Sequence, residues 1–216
     1  MSKSKITVAN WVTFMRFACM PLIVFFYFST DFIPSGKLIA MILFLVAALT
    51  DFVDGWIARR FNQVTDLGKL LDPIADKLLT FLGFVLIFTD VMLLGMLFPI
   101  WFAVVVFFLA TLRDYITNIL RQLAALKGKV MAADWYAKIK STVQYVAIAL
   151  AMFYAYYCVN CCGGVACGTT AEAVIRWITV SLLGISALLS IASGISYIMT
   201  YAKIAKSNPT PPQTAK

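Results

Sequence analysis

Apolar residues fill the chain in long blocks, separated by short polar clusters. Six blocks, at about 11 to 29, 37 to 57, 69 to 89, 92 to 116, 139 to 158 and 174 to 201, are each near the roughly 20 residues that a helix needs to cross a hydrocarbon layer of about 30 Å. A segment inside lipid must satisfy its own backbone hydrogen bonds, so each block predicts an α-helix. The pattern predicts an all-α integral membrane protein of six transmembrane helices, with one domain over residues 1–206. The stretch from Asn208 to Lys216 has three prolines in nine residues and predicts a disordered tail over 207–216.

Composition sharpens this picture. Of the 216 residues 62% are hydrophobic and 13% charged, with a mean hydropathy of +0.89, whereas a soluble domain carries roughly 25% charged residues. Such a chain needs lipid as its solvent. If it crosses six times from an inside N-terminus, 16 of its 18 Lys and Arg fall on one side, and only Lys37 and Arg176 on the other. The positive-inside rule makes the populated side cytoplasmic, with both termini there, and predicts a multi-pass protein of the cell membrane. The formal net charge of +8 then reads as anchoring to anionic lipid headgroups or as binding of phosphates, not as a nucleic-acid surface. Most of these cations need no role beyond setting topology. The first apolar run follows Lys3 and Lys5 as a secretory signal would, but its length and the lack of a small-residue cleavage site make it a retained span.

Four of the five cysteines, Cys158, Cys161, Cys162 and Cys167, cluster in a loop placed outside. An oxidising exterior makes one or two disulfides the default expectation, with a zinc site or free thiols as alternatives. Cys19, in the first span, reads as packing.

The chain contains no histidine and no GxxxxGK loop, which excludes histidine triads, histidine metal sites and P-loop chemistry. Carboxylates remain. Residues 51–76 read DFVDGWIARRFNQVTDLGKLLDPIAD, running from the end of one span into the next. Asp51 and Asp54 are three apart and Asp72 and Asp76 four apart, so each pair shares a helix face. A short connection makes the two helices antiparallel and brings the pairs face to face. At about 5 Å and an effective dielectric near 20, each carboxylate pair costs roughly 3 kcal/mol. Cations relieve this, and hard oxygen ligands select Mg2+ or Mn2+. Two ions shared by four aspartates can bridge a diphosphate and orient an attacking hydroxyl. The bland alternative is a set of interfacial aspartates paired with Arg59 or Arg60, with Gly55 and Ala58 serving only helix packing.

The positions Asp51, Asp54, Gly55, Ala58, Arg59, Gly68, Asp72 and Asp76 resemble the signature of the CDP-alcohol phosphotransferases, with all eight present at family spacing. The resemblance implies a six-helix membrane fold, a homodimer, and transfer of a substituted phosphate from a CDP-linked donor to an alcohol with release of CMP. It implies Asp51, Asp54 and Asp72 as ligands of one metal ion, Asp51, Asp72 and Asp76 as ligands of a second, and Asp76 as the base that takes the acceptor proton. For the nucleotide it points to Gly55, Arg59, Thr65 and the run Asn10, Trp11, Val12 and Thr13. Glycine permits close backbone approach and arginine forks onto phosphate oxygens. Thr65 and Asn10 read equally well as helix N-caps. No serine, cysteine or histidine nucleophile lies suitably within the motif, which favours direct attack over a covalent intermediate.

Arg113, Asp114 and Arg121, with Ala137, Lys138, Lys140, Ser141 and Gln144, are similar to the R-E-x6-R and GKxKT-x2-Q segments of the phosphatidylglycerophosphate synthase branch, with Asp, Ala and Ser replacing Glu, Gly and Thr. This implies CDP-diacylglycerol as donor and sn-glycerol 3-phosphate as acceptor. Arg113, Lys138 and Lys140 suit the acceptor phosphate, although two lysines two residues apart cannot face one way on a helix. A basic pocket suits inositol phosphate equally, and a serine acceptor would not demand it. A cation or proton transporter is the rival from another class, but transport sites lie near the midplane among broken helices, whereas these aspartates lie at the inner ends of spans.

Overall fold

In the computed structural model the backbone is described for residues 8–61, 66–94, 99–126, 135–162 and 168–206, and the side chains for 13–50, 71, 74–90, 99–124, 139–161 and 168–204. The described residues form α1 (Val8–Phe28), α2 (Gly36–Phe61), α3 (Asp66–Leu94), α4 (Ile100–Leu126), α5 (Trp135–Cys162) and α6 (Thr170–Lys206), with a 3-10 turn at Ser29–Asp31. The stretches Thr13–Asp31, Ile100–Ala124, Ile139–Cys161 and Thr170–Ile204 are long and apolar enough to cross a membrane, and Gly36–Thr50 is a shorter apolar stretch. Large apolar side chains such as Phe25, Trp101, Phe108 and Leu188 stay exposed along the helices, as they can where lipid is the solvent. The chain is a helical membrane protein. The tail expected to be disordered lies outside the described residues.

The helices overrun the apolar blocks that predict them, because a helix already started continues until the sequence stops it. The 37 residues of α6 extend about 55 Å at 1.5 Å per residue. One predicted boundary is corrected. The fourth block was expected to begin at 92, but α3 runs on to Leu94 and α4 begins at Ile100, immediately after Pro99. Proline has no N–H for a helix interior and its fixed φ suits the position before one, whereas apolar content alone does not mark the break.

The helices group into two compact units, Met1–Ile100 with Tyr145–Thr179, and Trp101–Gln144 with Val180–Lys216. In the first, α1 packs on α2 and α3, and α2 packs on α3. Gly36 makes the tight return from α1 feasible, since a Cβ there would collide with the carbonyl oxygen of Phe26. At Gly83 a Cβ would stand 2.6 Å from Cγ2 of Ile148 and 3.1 Å from the Phe44 ring, so α2, α3 and α5 close on a glycine-sized gap. Leu79, Leu86, Ile148 and Met152 fill the core around it. In the second unit Arg113 meets Ser193 and Arg121 meets Tyr197, so α4 and α6 run side by side in the same direction.

The first unit also buries polar groups. Lys37 Nζ lies 2.6 Å from Asp90 Oδ1, and the Tyr27 hydroxyl donates to the other oxygen of Asp90. Lys37 also stands 5.0 Å from the centroid of the Tyr27 ring. Tyr154 donates to Glu172 Oε1 at 2.8 Å, and the Glu172 N–H is capped by Thr169 Oγ1 at 3.2 Å. Cys158 is buried, Cys161 is exposed, and both are free thiols. The disulfide expectation therefore fails for these two, one being held in the core and the other facing out. Cys162 and Cys167 have side chains outside the described residues.

The Lys37–Asp90 pair fixes the register of two antiparallel helices. Asp51 follows Lys37 by 14 residues and Asp76 precedes Asp90 by 14, a rise of about 21 Å on each helix. Asp51 and Asp76 are thus carried to one level, and so, four residues further along each helix, are Gly55 and Asp72. Breaking a buried pair by removing one partner typically costs about 3 to 5 kcal/mol, whereas replacing both groups by apolar ones can be neutral. Lys37→Met is expected to destabilise the protein by that amount in thermal or denaturant unfolding in detergent, and Lys37→Met with Asp90→Leu to recover most of the loss.

Candidate active site

Helical register places the aspartate motif before any side chain is considered. Asp51, Asp54, Gly55 and Arg59 occupy the last three turns of α2, while Asp72 and Asp76 occupy the first three of α3. The side chains of Asp51, Asp54, Gly55, Arg59 and Asp72 lie outside the described residues, as does Thr65 altogether. Helix α1 runs antiparallel to α2, since its end meets Gly36, and parallel to α3, since Tyr27 reaches Leu86 and Asp90. Asn10 to Thr13 therefore start α1 at the same end of the unit as the aspartates. Asn10 lies inside α1, which removes the N-cap reading. Thr13 is buried, as is Arg16 one turn later; the side chains of Asn10, Trp11 and Val12 lie outside the described residues.

Asp76 is the member of the carboxylate set with a described side chain. The hydroxyl of buried Tyr145 donates to its Oδ1, and its backbone carbonyl accepts from Thr80 Oγ1 at 3.1 Å. Phe44 packs edge-on against the Tyr145 ring with centroids 6.0 Å apart, which leaves the phenol little freedom. Asp76, with three more aspartates on the adjoining helical turns, belongs to a donor set of hard oxygens, which fits divalent cations. Tyr145 was not anticipated. Its signal in the sequence was its position directly after Gln144 in the basic segment opening α5.

The second unit gathers cations. Lys140 is 2% exposed and lies 3.1 and 3.0 Å from the two oxygens of Asp114. Arg113 Nη1 donates to Asp114 Oδ1 at 2.8 Å, and its Nη2 donates to Ser193 Oγ. Arg121 Nη2 donates to the Tyr197 hydroxyl. Asp114 thus balances one of three neighbouring positive charges. Several donors here have no partner among the described residues: Arg113 Nε, Arg121 Nε and the amide nitrogen of Gln144, which is 2% exposed. A buried donor left unmet costs about 1 to 3 kcal/mol, so the cluster is built to receive an acceptor-rich anion. Of the three cations expected to hold the acceptor phosphate, Arg113 and Lys140 come together around Asp114, and the side chain of Lys138 lies outside the described residues. Ser193 and Tyr197 were not anticipated, since serine and tyrosine in an apolar span read as packing.

The CDP-alcohol phosphatidyltransferase family model matches residues 6–191. A CDP-diacylglycerol–glycerol-3-phosphate 3-phosphatidyltransferase of Rickettsia bellii (strain RML369-C) is 30% identical over 200 residues, which is 90% of this chain and 94% of the relative. Proteins of the same name from Bacillus subtilis (strain 168) and Escherichia coli (strain K12) are 32% identical over 155 residues, 67% of this chain and 76% of the relative, and 34% identical over 145 residues, 66% and 74%. The aspartate motif falls wholly within the matched region, and the chain belongs to the CDP-alcohol phosphatidyltransferase family.

Proposed function

We propose that this protein transfers the phosphatidyl group of CDP-diacylglycerol to sn-glycerol 3-phosphate, giving phosphatidylglycerophosphate and CMP. The observation that carries the acceptor is the charge excess of Arg113, Arg121 and Lys140 over Asp114, which suits a phosphorylated alcohol. The printed name shared by the three relatives supports the same pair of substrates. The family generally uses divalent metal ions, and the donor set suits two, Mg2+ or Mn2+, held by Asp51, Asp54, Asp72 and Asp76. When bound, such ions neutralise the diphosphate of the donor and the developing charge on the departing CMP.

The chain's own residues do the rest. Asn10 to Thr13, Gly55, Arg59 and Thr65 hold the CDP moiety, with the arginine fork on phosphate oxygens. Arg113, Lys138 and Lys140 hold the acceptor phosphate. Asp76, kept in orientation by Tyr145, takes the proton from the acceptor hydroxyl. That oxygen forms its bond to the phosphorus bearing the diacylglycerol as the bond from that phosphorus to the CMP oxygen breaks. The proposed setting is a single domain over 1–206 with a disordered tail, crossing the cell membrane six times, with both termini and the active site cytoplasmic and two copies forming a homodimer. Lipid substrate then enters from the inner leaflet, where CMP is also released.

Purified protein given CDP-diacylglycerol, Mg2+ or Mn2+ and a panel of acceptors is expected to release CMP with glycerol 3-phosphate. Release with inositol 1-phosphate or serine but not with glycerol 3-phosphate would overturn the acceptor. Asp76→Asn is expected to lower turnover about a hundredfold to ten-thousandfold, the usual worth of a positioned base; near-normal turnover with metal bound would remove Asp76 from that role. Tyr145→Phe is expected to lower kcat about tenfold, equivalent to about 1.4 kcal/mol, with the KM for glycerol 3-phosphate unchanged.

A further inference from the structure

Two arginines of α4 share one aromatic ring of α6. Arg113 Cζ lies 5.5 Å and Arg121 Cζ 5.2 Å from the centroid of the Tyr197 ring, and Arg121 also donates to the Tyr197 hydroxyl. The ring is buried, 1% exposed, and packs with Ala124, Leu120, Tyr201 and Ile204. One turn earlier, Ser193 accepts from Arg113, and a Cβ on Gly194 would stand 3.3 Å from Arg113 Cγ, so a bare backbone there gives the arginine stem its path. Ser193, Gly194 and Tyr197 thus form one face of α6, at helical spacing, turned to Arg113 and Arg121.

The arginines are eight residues apart, a rise of about 12 Å along α4, yet both guanidiniums lie within 5.5 Å of the centroid of one ring. Like charges separate unless something holds them, and an electron-rich ring face attracts both guanidiniums. Their Nε atoms have no partner among the described residues. Among the described residues Asp114 pairs with both Lys140 and Arg113, so Arg113, Arg121 and Lys140 together exceed it by two positive charges. A phosphate monoester near neutral pH carries close to two negative ones. The family match ends at residue 191, so Tyr197 lies beyond the region that defines the family.

We propose that Tyr197 is a positioning residue for the acceptor phosphate, seating Arg113 and Arg121 on its ring so that together they receive the phosphate of glycerol 3-phosphate. This rests on the reading of the cation cluster as the acceptor site, and extends that site to Arg121. The ring does not touch substrate in this role; it acts through the two guanidiniums.

Variants of Tyr197 and Arg113 test it, by CMP release with each substrate varied in turn and by the shift in melting temperature that glycerol 3-phosphate produces. Tyr197→Leu, which removes ring and hydroxyl, is expected to raise the KM for glycerol 3-phosphate about tenfold or more, leave the KM for CDP-diacylglycerol within twofold, and abolish the melting shift. Tyr197→Phe keeps the ring and is expected to raise the acceptor KM by about threefold at most. An unchanged acceptor KM in Tyr197→Leu, or an equal rise in both KM values, overturns the proposal. Should Tyr197→Leu not fold, Tyr197→Trp, with a larger ring face, must retain the low acceptor KM and Tyr197→Met must lose it; the reverse order overturns the proposal. Arg113→Gln separates the two readings. If it leaves the acceptor KM unchanged the acceptor site itself is misplaced, whereas a rise in Arg113→Gln without one in Tyr197→Leu removes only the role of Tyr197.

Discussion

A buried ion pair between Lys37 and Asp90 decides where the aspartates of this protein stand relative to one another. Apolar helices in lipid gain little from hydrophobic burial against each other, so packing alone discriminates weakly between neighbouring registers. A buried pair discriminates strongly, because a slip of one turn leaves a carboxylate and an ammonium unmatched. Tyr27 adds a third helix to the same point, donating to Asp90 while its ring faces Lys37. Three helices are therefore pinned at one end, and rigid helical rise carries that alignment about 21 Å to the aspartate motif at the other. Gly83 extends the arrangement to α5, whose Ile148 fills the space a side chain would take, and α5 in turn delivers Tyr145 to Asp76.

The second unit solves a related difficulty with the opposite charge. Cations in a membrane helix are costly wherever they are not paired or solvated. Asp114 pairs with both Lys140 and Arg113, and Arg113 and Arg121 also reach an aromatic ring and two hydroxyls. None of these neutral partners cancels charge. They hold the guanidiniums in place and preserve their attraction for an anion, which a second carboxylate would have quenched.

Much of this was legible in the sequence. Six apolar blocks gave six helices because spanning backbone has few other ways to satisfy its hydrogen bonds. The aspartate motif was legible as a family signature, and the family match covers it. What escaped notice were groups whose chemistry depends on a partner distant in sequence. Tyr145 meets Asp76 across 69 positions and Tyr197 meets Arg121 across 76; alone, each is an aromatic residue in an apolar helix. Lys37 was read as one of two cations on the thinly charged side, and its pairing with Asp90 is a fact of tertiary structure. The break between α3 and α4 was expected several residues too early, because the apolar content continues across it and only Pro99 marks the start of the new helix.

Charge matching explains why one chain keeps two polar sites of opposite sign. The aspartate motif sets four aspartates on the adjoining turns of α2 and α3, and in the proposed reaction these hold the cations that receive a diphosphate. The cluster around Arg113 has a surplus of positive charge and attracts a phosphate without help from metal. In the proposed reaction both substrates are anionic, and a single positive basin would bind either indiscriminately. Recognition by metal in one case and by guanidinium in the other separates donor from acceptor by chemistry as well as shape. A substrate bearing one phosphate and no diphosphate gains little at the metal-dependent site, since two ions are best used by two bridging phosphates. The guanidinium site in turn favours a small dianion that can reach donors held by a buried ring. In the proposed acceptor site, selectivity would depend on the neutral residues Ser193, Gly194 and Tyr197 as well as on the arginines, because these residues hold both guanidiniums against one ring.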